Sequence, residues 1–133
     1  MTKGHSHLSD DRLIAMFYAD HALRADDAVT IARRDLARRD DIYAEDTLAW
    51  TLAADGRWQE ARVHSERAVR LGTEDAKLQY HAGIIALHCG DRDDARRRLQ
   101  LALSLNPHFN PFQVRDASRE LDELRAANVA VEL

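Results

Sequence analysis

The stretch DAKLQYHAGIIALHCGDRDDARRRLQLALSLNP, residues 75–107, holds two helix-like segments separated by Cys89-Gly90-Asp91. Moved back by 34 residues, it falls on DIYAEDTLAWTLAADGRWQEARVHSERAVRLGT, residues 41–73. Ten positions then agree in kind: Asp41 with Asp75, Ala44 with Leu78, Ala49 with Gly83, Leu52 with Ala86, Gly56 with Gly90, Glu60 with Asp94, Ala61 with Ala95, Ala68 with Ala102, Val69 with Leu103 and Leu71 with Leu105. A fixed period of this length marks a repeated supersecondary unit. The small pairs Ala49/Gly83 and Ala61/Ala95 recur where the two helices of one hairpin approach closest, because a large side chain there forces the helices apart. A fainter copy lies upstream at an offset of 33 residues, pairing Ala15 with Leu48, Phe17 with Trp50, Ala19 with Leu52, Asp27 with Glu60, Ala28 with Ala61 and Leu36 with Val69. Terminal repeats diverge because one of their sides has no neighbour.

Working outward, the remaining sequence is also helical in character. Ala, Leu, Arg, Glu and Asp dominate, Gly and Pro number only 5 and 2, and apolar residues recur every three or four positions, as in Ala28, Ile31, Ala32 and Leu36. Breaks fall at Leu23 to Ala25, Asp40-Asp41, Asp55-Gly56-Arg57, Gly72-Thr73, Cys89-Gly90-Asp91 and Asn106 to Asn110, leaving helices of about 12 to 16 residues between them. Asp91 is placed to cap the helix it precedes, and Asn110-Pro111 opens the last one with a capping side chain and a proline at the first helical position. Gly56 and Gly90 supply the left-handed backbone that closes a preceding helix.

With these residues in view, the chain resembles the tetratricopeptide repeat family. Gly83, Gly90, Ala95, Leu99, Ala102, Leu105 and Pro107 match that family's small and large positions over one complete repeat, and Leu48, Gly56, Trp58, Ala61 and Ala68 match it in the preceding one. Thr73 stands where the family usually has proline, Leu23 replaces the first inter-helix glycine, and Asp35 stands where Ala68 and Ala102 predict alanine. The resemblance implies an all-α fold: a right-handed superhelical stack of three helix pairs with a C-terminal capping helix. Residues 1–8 are expected to be a flexible tail, 9–127 a single domain with repeats over 9–40, 42–74 and 75–109 and a cap over 110–127, and 128–133 a short tail. Val114, Ala117, Leu121 and Leu124 form the cap's apolar face, with Phe109 and Phe112 expected to anchor it.

The resemblance also implies a function. In this family the first helix of each pair lines a concave face that holds a peptide or a partner helix. Carried over by the repeat register, the partner-binding residues here are Leu13, Phe17, Tyr43, Asp46, Trp50, Lys77, Tyr80, His81, Ile84 and His88. Aromatic anchors suit such a face, since burying a ring gives much energy for little rotamer loss. The competing reading is that Phe17, Trp50 and Ile84 fill the interior of a tight superhelix. Some family members grip a terminal carboxylate with Lys, Asn and Arg on these helices, but only Lys77 is available here, so an apolar or mixed segment is expected. A second copy of the same chain is one candidate, making a homo-oligomer possible.

Other classes find little support. One cysteine cannot form an internal disulfide, and no apolar run approaches the roughly 20 residues of a membrane-spanning helix. The start, Met1 to His7, has no long apolar core of a secretory signal, so a cytoplasmic setting is expected. A net charge of -4 argues against nucleic acid, because Arg33, Arg34, Arg38, Arg39 and Arg96 to Arg98 are interleaved with aspartates. No enzyme is expected. His88 and Cys89 are consecutive and diverge by about 100° on a helix, and no serine elbow or phosphate loop appears. No cofactor and no metal site are expected, although the alternative of a small metal-binding or accessory factor stays open through the histidines. His5 and His7 alternate near the start, His81 and His88 lie two turns apart on one face, and His64 follows Glu60 by one turn.

Overall fold

The computed structural model describes residues 3–132, with side chains described over 11–128. Among them it contains seven α-helices and no strand, in two compact units. The first unit, Met1–Leu71, holds α1 (Lys3–Asp20), α2 (Ala25–Arg39), α3 (Ile42–Ala54) and α4 (Trp58–Val69). The second, Gly72–Leu133, holds α5 (Ala76–His88), α6 (Arg92–Leu105) and α7 (Pro111–Glu132). The division falls in residues 70–75, the longest connection between described helices, where Gly72 takes φ +74°.

The helix ends follow from side-chain chemistry. Asp41 accepts a hydrogen bond from the Ala44 amide at 2.8 Å, and its repeat partner Asp75 accepts from Lys77 and Leu78. Asp91 accepts from Asp94 at 3.1 Å, and Asn110 from Phe112 and Gln113. Each such bond satisfies an amide that the helix itself leaves open and contributes about 1 kcal/mol. Gly56 and Gly90 adopt φ +76° and +84°, as expected of residues that close α3 and α5. Asp40 takes the same left-handed conformation at φ 45°, which aspartate tolerates better than most residues.

Two expected tails are instead helical where described. α1 already begins at Lys3, so residues 3–8 do not form a separate tail, and no proline interrupts the run to Asp20. α7 continues to Glu132 because Ala126, Ala127 and Ala130 favour helix and nothing after them terminates it. Residues 1, 2 and 133 lie outside the described residues.

In the first unit α2 packs against α1 and α3, α1 also packs against α3, and α3 pairs with α4. Small residues line the helix contacts: Ala15, Ala28, Ala32, Ala49 and Ala61 are fully buried beside Leu48 and Leu52. In the second unit α5 pairs with α6, and α7 packs on both. Gly83 sets how closely α5 and α6 approach. A Cβ added there would lie 2.8 Å from Cδ2 and 2.9 Å from Cγ of Leu99, itself fully buried. The apolar face of α7 buries Ala117, Leu121 and Leu124. Phe112 does not anchor it, being 79% exposed; Phe109 does, with its ring 5.6 Å from that of Tyr80.

Candidate functional site

The first unit brings five of the expected site residues onto α1 and α3. Two cross-links tie these helices: the Arg12 guanidinium sits 5.1 Å from the centre of the Tyr43 ring, and the Trp50 indole N–H donates to Asp20 Oδ1 at 2.9 Å. Because the tie points ascend together along both helices, α1 and α3 run side by side in the same direction. Leu13 and Phe17, one turn apart on α1, are 67% and 53% exposed. Tyr43 is also exposed, whereas Trp50 is half-buried. Phe17 stacks on His21 with ring centres 4.2 Å apart and meets Tyr18 edge-on. Asp46 is buried, so it belongs to the interior of the unit rather than to an open face.

The other five expected residues, on α5, behave differently. Tyr80 is buried, its hydroxyl donating to Asp116 Oδ2 of α7 at 2.7 Å and its ring against Phe109. His81 and Ile84 are buried as well, with the His81 ring 5.8 Å from that of Tyr80. Lys77 is half-buried and His88 exposed. Tyr80, His81 and Ile84 are therefore covered within the second unit, while Leu13, Phe17 and Tyr43 present apolar surface to solvent.

Several polar contacts were not legible in the repeat pattern. Asp11, almost fully buried, receives a two-pronged contact from Arg34, Nε to Oδ2 at 3.0 Å and Nη2 to Oδ1 at 2.9 Å, with Arg38 at 3.7 Å. His64 does not pair with Glu60. Its Nδ1 meets Glu45 Oε2 across the α3–α4 hairpin at 2.7 Å, while Glu60 is taken by Arg57 and Arg33. The hydrogen bond from Arg57 holds the Glu60 carboxyl below the usual carboxylate range. Asp35 is fully buried, and neither of its carboxylate oxygens has a hydrogen-bond partner. The one sequence signal for it was its departure from alanine in the repeat register.

Among the described residues no three His, Cys, Asp or Glu side chains are grouped to hold a metal ion, and no helix is long and apolar enough to cross a membrane. The side chains of His5 and His7 lie outside those described. Cys89 follows the last turn of α5 and is half-buried.

No protein-family model and no curated protein matches this sequence. Solved structures do. The chain superposes on the Yersinia enterocolitica type III secretion chaperone SycD, in complex with a peptide of the translocator YopD, with a TM-score of 0.72, 18% identity and 91% and 94% of the two chains covered. PcrH from Pseudomonas aeruginosa gives 0.70 at 17% identity, covering 89% and 91%. The second TPR domain of human RPAP3, in complex with an HSP70 peptide, gives 0.70 at 17% identity, covering 91% and 97%. The likeness is one of fold, and this chain has the fold of tetratricopeptide-type helical repeats.

Proposed function

We propose that the chain is a non-enzymatic protein-interaction module that binds an apolar or mixed peptide, or a partner helix, on the inner helices of its repeats. The observation that carries this reading is the exposure of Leu13 and Phe17 on α1, a helix tied to α3 through Tyr43 and Trp50. Covering the exposed parts of two such side chains returns roughly 2–3 kcal/mol, a substantial share of a micromolar affinity. The complexes of SycD and RPAP3 with peptides support the same assignment for a chain of this fold. In the second unit the repeat register assigns the corresponding positions to Lys77, Tyr80, His81, Ile84 and His88 on α5, of which Lys77 and His88 reach solvent. In this reading Asp46 supports the first unit's face from within, and Leu13, Phe17, Tyr43 and Trp50 make the contacts. The setting is the cytoplasm.

The test is to identify a co-purifying segment in the native host and titrate it into the purified chain. Phe17→Ala should weaken binding roughly tenfold with helicity unchanged, since an exposed aromatic anchor loses its contact without leaving a cavity in the core. Trp50→Ala is a poorer probe because Trp50 also ties α3 to α1 through Asp20. Unchanged affinity in Phe17→Ala would remove α1 from the site. Mass measured against concentration reports whether a second copy of the chain is the partner.

A further inference from the structure

Asp35 is the polar exception in the repeat. Its register partners Ala68 and Ala102 are buried methyl groups that pack helix on helix, as are Ala28, Ala61 and Ala95 one turn or two earlier. A carboxylate at such a position has given up its hydration, and here it receives no hydrogen bond in return. The charged groups around it give it no hydrogen bond, and Arg12 keeps a buried Nε without a hydrogen-bond partner as well. On α1, Asp11 is held by Arg34 and Arg38, and Arg12 lies over the Tyr43 ring. On α2 itself Arg39 is directed to Asp41, the residue that caps α3. Burial therefore pushes the Asp35 carboxyl above the usual carboxylate range. Arg39 and Arg12 oppose that push, and Asp11 and Asp41 reinforce it.

We propose that Asp35 makes the α1–α2 hairpin a proton-dependent element of the first unit, docked on α3 while Asp35 is neutral and loosened as Asp35 ionises. The position suits such a device, because α2 packs against both α1 and α3 and Asp35 is buried on it. Among the described residues α1 and α2 pack only on each other and on α3, so the hairpin can loosen by leaving a single helix. The sign follows from linkage. In the unfolded chain the carboxyl ionises near its ordinary value of about 3.9. Below that value both states carry the proton and the penalty for burying a charge is absent. Between it and the raised folded value the unfolded chain gives up the proton first, so stability falls as pH rises, and above the folded value the full penalty remains. Leu13 and Phe17 ride on α1, so loosening the hairpin also changes their placement relative to α3; the inference itself rests on Asp35 and needs no partner.

The experiment compares thermal unfolding of the full chain and of Asp35→Ala from pH 4 to pH 8. Asp35→Ala restores the residue of the other two repeats. It should raise the midpoint at pH 8 by about 3 °C or more, and the gain should shrink steadily toward pH 4. A gain that is the same at every pH, or a loss, overturns the proposal, because a pure packing effect does not titrate. Hydrogen exchange locates the effect: protection of α1 and α2 amides relative to those of α3 and α4 should fall between pH 5 and pH 8 in the natural chain and stay level in Asp35→Ala. Equal profiles in the two proteins overturn the assignment to the hairpin. If Asp35→Ala does not fold, Asp35→Asn keeps the shape without the charge. The carbon-13 signal of the natural carboxyl then decides: titration at the ordinary carboxylate value overturns the proposal, and a raised midpoint supports it.

Discussion

Asp11 and Asp35 are two buried aspartates of one unit with opposite circumstances. Asp11 is met by the planar fork of Arg34, with Arg38 behind it, whereas Asp35 has no donor at all. A carboxylate paired in two-pronged geometry recovers much of its lost hydration, and removing its partner exposes the cost. Arg34→Ala should therefore destabilise the chain, the half-exposed guanidinium and the remaining Arg38 limiting the loss. Denaturant unfolding of Arg34→Ala, Asp11→Ala and the double variant gives the coupling; additive losses would show that the pair contributes nothing. Both aspartates were present in the sequence, but their fates were not. Asp11 and Arg34 are 23 residues apart with no periodic relation that singles them out, whereas Asp35 was marked as unusual because two repeats showed what belonged there.

At the scale of elements, the repeat pattern carried real geometry. The pairing of Ala49 with Gly83 and Ala61 with Ala95 located the close approach of two helices, and Gly83 shows why: there is no room for a Cβ against Leu99. Gly83→Val should cost about 2 kcal/mol or more, because the overpacking of a filled contact outweighs the better helix propensity of the new residue. Chemical denaturation of this variant measures it, and a stability equal to that of the natural chain would mean that α6 shifts freely. Caps at Asp41, Asp75, Asp91 and Asn110 belong to the same local chemistry, since each acts within three residues of itself. Element ends without such a marker were misplaced: α1 and α7 run further than their sequences announce, as weak helix signals at chain ends are easily extended by the neighbouring turn. The agreement of Leu71 with Leu105 in the repeat also fails as a guide to burial, Leu71 being 82% exposed.

For the molecule as a whole, the histidines separate the two functional readings. His81 is buried, His64 is paired with Glu45, and no three donors meet among the described residues. Adding zinc should leave the unfolding midpoint of the chain unchanged; a rise that saturates at micromolar metal would favour the metal-binding reading instead, since a ligand that binds only the folded state stabilises it by mass action. The fold class, the repeat length, the helix pairs and the caps at Asp91 and Asn110 were determined by the sequence alone. All of these rest on interactions between residues a few positions apart, or on periodicity that one chain displays three times. Tertiary structure alone decided which of the expected site residues are open and which are covered. Leu13, Phe17 and Tyr43 face solvent, while Tyr80 is closed over by Phe109 and gives its hydroxyl to Asp116, 36 residues along the chain. Register says only which way a side chain points from its own helix. Whether it meets water, a ring or a carboxylate depends on another element brought there by packing.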